Sequence, residues 1–176
     1  MMKKSQVDLK KYILLDIDGV CNGVVSCRRP AVVTGSFGII DESYMGMDPV
    51  CVERVNRIQR ATNAVIVLET SWVTMVGLDV TIEHLRWNGL EGPIEGATPR
   101  RFSSYKVNEI TWWLCKNPDV YRDKRFVILD DDKRLLSHYG HREVNFDDNL
   151  VLTDTHVGIQ DPDVALAIKI LQSTNP

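Results

Sequence analysis

Three four-residue runs, Tyr12-Ile13-Leu14-Leu15, Val65-Ile66-Val67-Leu68 and Phe126-Val127-Ile128-Leu129, are wholly apolar, and each runs straight into acidic or hydroxyl side chains. A strand with one face in water would place a polar residue at every second position, so unbroken apolar runs predict strands covered on both faces. Leu150 to Thr153 reads as a fourth strand, and a short, weaker one is expected around Pro93 to Glu95. Helical patterns fill the intervals. Asp48-Pro49 offers a cap and a first-turn proline ahead of Val52, Val55 and Ile58, and Asp161-Pro162 repeats that start ahead of Val164, Ile168 and Leu171. Asp79 to Trp87 reads as a helix closed by Asn88-Gly89. Ser103 or Ser104 is expected to cap another, through Ile110, Trp113 and Leu114, that stops before Asn117-Pro118. Strands alternating with helices imply an α/β chain: a three-layer, Rossmann-like fold around a mostly parallel sheet of about five strands.

The 176 residues, 44% hydrophobic and 26% charged, suit a single folded domain with a core over about 12–172 and argue against disorder. A net charge of −3 argues against a protein that holds nucleic acid by bulk positive charge. No apolar run approaches the roughly 20 residues of a membrane helix, and no signal peptide is expected behind Met1 to Lys11. Cys21, Cys27, Cys51 and Cys115 form no C-x-x-C pair, so reduced thiols and a cytoplasmic location are expected rather than a zinc site or disulfide framework.

In a parallel sheet the carboxyl ends of the strands share one edge, and ligands bind along it. The residues at those ends are Asp16-Ile17-Asp18-Gly19-Val20, Glu69-Thr70-Ser71-Trp72 and Asp130-Asp131-Asp132. Converging carboxylates repel one another unless a cation sits among them, and an all-oxygen donor set suits Mg²⁺, which often shares its shell with phosphate. A calcium-loop reading of Asp16-x-Asp18-Gly19 needs a glutamate at its twelfth position, and Arg28 stands near that register.

Asp16-x-Asp18-Gly19-Val20 after an apolar strand resembles the first motif of the haloacid dehalogenase (HAD) superfamily of phosphohydrolases. Thr70, Lys106 and Asp130-Asp131 follow in the order of its second, third and fourth motifs. The closer resemblance is to the HAD domain of Swiss Army Knife RNA repair proteins. It rests on Ser71-Trp72, Gly96 to Pro99, Lys106 ahead of Glu109-Ile110, Leu152 to Asp154, and Gly158-Ile159, and it spans about Tyr12 to Leu171.

The resemblance implies a phosphatase in which Asp16 attacks phosphorus to form an aspartyl-phosphate and Asp18 serves as acid and then base. It implies Mg²⁺ held by Asp16, the backbone carbonyl of Asp18, and Asp130 or Asp131. Thr70 and the amide after it would bind phosphoryl oxygens, with Gly19 and Ser71 also in contact with substrate. Lys106 would add a positive charge, with Arg100 and Arg101 as nearby alternatives. Asp132 is expected to be solvated, Trp112 and Trp113 to pack at the core and its rim, Cys21 to be a small buried residue, and His138 and His141 to be structural or surface residues.

The segment 22–47 is too short for a lid domain and is expected to form a β-hairpin flap through Val24-Val25, Ala31 to Val33 and Phe37 to Ile40. An open site suits a bulky phosphorylated partner, such as a nucleic-acid end, or a nucleotide. Arg28 and Arg29 would meet a neighbouring backbone phosphate, and Arg100 and Arg101 would extend that strip. Relatives often carry arginine after Ser-Trp; Val73 here removes one such contact. Composition and motifs leave the oligomeric state open. A binding module of the same fold, or a phosphatase of small metabolites or phosphoproteins, are the alternatives.

Overall fold

The computed structural model describes residues 9–25, 46–99, 106–136 and 145–173. Strands β1 (Tyr12–Leu15), β2 (Val65–Leu68), β3 (Ile94–Ala97), β4 (Phe126–Asp130) and β5 (Leu150–Leu152) form one sheet in the order β3-β2-β1-β4-β5. Every pairing is parallel, and helices flank the sheet. The chain starts at the centre, builds outward to β3, then returns to the other side of β1. That reversal puts the ligand-binding crevice of a Rossmann-like sheet outside the carboxyl ends of β1 and β4.

Side chains alternate across each strand, and the alternation decides what reaches the crevice. Ile13 and Leu15 of β1, with Val127 and Leu129 of β4, pack with α1 (Pro49–Thr62) and α6 (Asp161–Gln172). Leu14 and Ile128 point the other way, onto Val107, Ile110 and Leu114 of α4 (Lys106–Lys116) and Val120 of α5 (Pro118–Arg122). Leu14 pairs in register with Val67 and Ile128. Two residues further along each strand stand Asp16, Glu69 and Asp130, so all three carboxylates are set toward the α4 side of the sheet. Fully burying each large apolar side chain of these layers contributes about 1.5–3 kcal/mol.

Helix α1 begins as its sequence predicts, with the Asp48 carboxylate accepting from Val50 N–H at 2.8 Å. Helix α6 differs in one detail: Gln160 is the cap and Asp161 the first helical residue, with Gln160 N–H donating to the Asp163 carboxylate at 2.8 Å. The weak strand is real but runs Ile94–Ala97, further than Pro93 to Glu95. Helix α3 (Leu78–Trp87) was legible; the five-residue helices α2 (Trp72–Val76) and α5 were not. Trp113 packs edge-on to Tyr12 at 5.3 Å at the rim of the core, as expected, whereas Trp112 is exposed and lies under Lys116 instead of packing at the core.

Of the expected flap, Val24 and Val25 form a turn rather than a strand, held through their N–H groups by the carbonyls of Thr155 and His156. The rest of its strands, Cys27, Arg28, Arg29, Arg100, Arg101, Ser103, Ser104, His138 and His141 lie outside the described residues. No helix among the described residues is long and apolar enough to cross a membrane.

Candidate active site

Asp16 follows β1 directly and stays in the sheet's hydrogen-bond pattern, its N–H donating to Leu129 carbonyl at 3.0 Å. Its Oδ1 accepts from Ile17 N–H at 2.8 Å, and its Oδ2 accepts from the Lys106 ammonium. The chain then turns back through Ile17 to Cys21, with Cys21 N–H bonded to Ile17 carbonyl at 2.8 Å. Gly19 makes the turn possible: its φ is +74°, and an added Cβ would overlap the Asp131 carboxyl. Gly19 N–H donates to Asn22 Oδ1 at 2.9 Å, and its carbonyl accepts from Thr153 Oγ1 at 2.7 Å.

The Asp18 carboxylate is held from two sides. Asn22 Nδ2 donates to one oxygen at 3.1 Å and the Trp72 indole N–H to the other at 2.9 Å. Asp130, the last residue of β4 and fully buried, accepts from Asp132 N–H at 2.7 Å and from Lys106 Nζ at 2.9 Å. Asp131 is less buried and accepts from Thr155 Oγ1 at 2.6 Å. One carboxylate oxygen from each of Asp16, Asp130 and Asp131 lies within 4.8 Å of the others. Thr70, almost fully buried at the end of β2, accepts at 3.4 Å from Trp72 N–H, and Ser71 opens α2 beside it. Asp132 is not simply solvated: its carboxylate caps the turn 133–135 and pairs with Arg134.

Lys106 is the first residue of α4, where a cation works against the helix dipole. Its position is accounted for instead by Asp16, Asp130 and Glu69, whose nearest oxygen is 3.7 Å away. Burial works against the ammonium, yet those three carboxylates hold its pKa above the ordinary lysine value. Burial first, and then the charge of Asp130, push the Asp16 carboxyl up to about 7 despite Lys106. Glu69, fully buried beside Lys106, is raised well above the ordinary range, chiefly by burial. Among the described residues one ammonium, that of Lys106, faces this group of carboxyls. Hard oxygen donors this close together, with one ligand only half covered, fit a divalent cation such as Mg²⁺.

The structure thus brings together Asp16, Gly19, Lys106, Asp130 and Asp131, with Asp18 in the same turn as Gly19, and places Thr70 and Ser71 after the adjacent strand β2, next to the Trp72 that bonds Asp18. The carboxylate of Asp18 is turned to Trp72 and Asn22 rather than into the acidic cluster. Burial pushes the Cys21 thiol pKa up, which fits a packing role and not a nucleophile. Val73 packs against the core. Sequence reasoning missed Glu69 as a partner of Lys106, and Trp72 and Asn22 as donors to Asp18. The available signals were the position of Glu69 after an apolar run, the Ser71-Trp72 pair, and the four-residue spacing from Asp18 to Asn22.

A family model described as the HAD domain in Swiss Army Knife RNA repair proteins matches residues 12–164. No curated protein and no solved structure gives a significant match.

Proposed function

This chain belongs to the family of HAD domains found in Swiss Army Knife RNA repair proteins, and from that premise and the site's geometry we propose a Mg²⁺-dependent phosphomonoesterase. Asp16 Oδ attacks phosphorus in line, the bond from phosphorus to the leaving oxygen breaks, and the Asp18 carboxyl gives its proton to that oxygen. Asp18, now ionised, takes a proton from water as the water attacks phosphorus. The Asp16–phosphorus bond breaks and inorganic phosphate leaves.

Asp16, Asp130, Asp131 and the backbone carbonyl of Asp18 would hold Mg²⁺, whose charge screens the phosphoryl oxygens from the carboxylate that attacks them. Lys106 orients the Asp16 carboxyl through its ammonium, and its charge opposes the burial that raises that carboxyl's pKa. The Thr70 oxygen accepts from the backbone, which leaves its proton for a phosphoryl oxygen, with the amide of Ser71 as a second donor. Ser71 and Gly19 complete the substrate contacts. The observation that carries this reading is the meeting of Lys106 with carboxylates from three adjacent strand ends, beside a separately held Asp18.

For the substrate we favour the terminal phosphate of a nucleic-acid end or a nucleotide, in line with the family's description. Arg28 and Arg29 enter that proposal on sequence alone, as contacts to a neighbouring phosphate. The test is phosphate release with Mg²⁺ or EDTA over mononucleotides, 3′- and 5′-phosphorylated oligonucleotides, sugar phosphates and phosphopeptides. Release that EDTA abolishes, and that falls by at least about 10³-fold in Asp16→Asn, is expected. No release from any substrate would favour a binding module instead.

A further inference from the structure

We infer that Trp72 is a positioning residue whose indole N–H aims the Asp18 carboxyl at the leaving oxygen; the inference rests on the proposed role of Asp18 as acid and base. The indole is 5% exposed, packs in the core, and lies against the His84 ring at 5.3 Å, so its direction is fixed by neighbours outside the site. A buried indole N–H needs an acceptor, and this one meets a carboxylate two residues from the nucleophile.

The two donors on Asp18 come from different parts of the fold. Asn22 belongs to the same turn as Asp18, is fully buried, and also accepts from Gly19 N–H. Trp72 comes from α2, directly after Thr70 and Ser71 at the end of β2. Among the described residues, Asn22 alone would leave the carboxyl held by a single contact. With Trp72 in place, each carboxylate oxygen accepts one hydrogen bond from the described residues, and a carboxylate oxygen has a second lone pair for a proton. The carboxyl is thereby tied to the element that carries Thr70, and kept out of the acidic cluster of Asp16, Asp130 and Asp131.

Proton donation matters most when the leaving group is a poor one. An alkoxide from a ribose or glycerol needs a proton to depart, whereas nitrophenolate leaves with little help. Misaiming Asp18 should therefore slow alkyl phosphates far more than aryl phosphates, a difference that a general loss of packing would not produce.

The experiment measures kcat and KM with Mg²⁺ for glycerol phosphate and for nitrophenyl phosphate, in the wild type and Trp72→Phe. A third protein carries benzothienylalanine at position 72, which replaces the indole N–H by sulfur and keeps the ring's shape. The expected result for both variants is a drop in kcat of about 10- to 100-fold on the alkyl substrate and at most a few-fold on the aryl one, with KM little changed. In an Asp18→Asn background, Trp72→Phe should add almost nothing. If Trp72→Phe fails to fold, the sulfur isostere carries the comparison. Equal losses on both substrates, no loss, or a full additional loss beside Asp18→Asn would overturn the inference. A wild type without Mg²⁺-dependent release from these two or from any mononucleotide or phosphorylated oligonucleotide would overturn the proposed activity itself, and the inference with it.

Discussion

Asp16 is buried among like charges, and this has a consequence for stability as well as for chemistry. Its carboxyl, raised from 3.8 to about 7 by burial and by Asp130, favours the protonated form in the folded state. The fold therefore binds a proton that the unfolded chain releases between those values. The stability this contributes is full at acid pH and lost as pH rises through about 7. His84, which burial holds neutral, acts in the opposite sense near its own range, so the clean comparison is with Asp16→Asn. In EDTA the variant should exceed the wild type by about 2 kcal/mol or more at about pH 8, with the gap narrowing as pH falls and closing only at about pH 4, as read from denaturation midpoints. A gap independent of pH would contradict the burial argument. Gly19→Ala places a Cβ into the Asp131 carboxyl at a positive φ, and should cost about 1–3 kcal/mol in thermal unfolding together with most of the turnover. The carboxylates were legible because each follows an apolar run. The donors to Asp18 were not, because the Trp72 contact joins residues that only the folded sheet brings together.

Helix α4 carries one residue of the site, and its docking depends on the carboxylates it meets. Lys106→Met leaves Asp16, Asp130 and Glu69 without their cation, and breaking a buried set of this kind costs about 3–5 kcal/mol. The loss should be largest at neutral and higher pH, where Asp16 is ionised, and smaller in acid, where it is protonated. Denaturant midpoints at about pH 5 and about pH 8 test this, and equal losses at the two would contradict it. Elements with two or more turns, or with unbroken apolar runs, could be read from the sequence. Helices α2 and α5, at five residues each, are too short to show a helical period. The cap of α6 fell one residue earlier than its Asp-Pro pair implied, because Gln160 and Asp163 close the turn.

At the scale of the molecule, the strand order β3-β2-β1-β4-β5 turns separate acidic motifs into one site. Alternating side chains tell which face each strand-end carboxylate takes, but not which strands are neighbours. That order comes from packing α1 and α6 on one face and α4 and α5 on the other, information spread over the whole chain. With the order known, Asp16 after β1, Asp130 and Asp131 at the end of β4 and Thr70 after β2, the proposed nucleophile, metal donors and phosphoryl contact, meet at one edge. The most direct test is to mix the protein with Mg²⁺ and an oligonucleotide bearing a radiolabelled terminal phosphate, quench in acid within one turnover, and map the label. The account predicts a hydroxylamine-labile label on the peptide containing Asp16, absent from Asp16→Asn. Phosphate release with no label on that peptide, or undiminished turnover in Asp16→Asn, would contradict it.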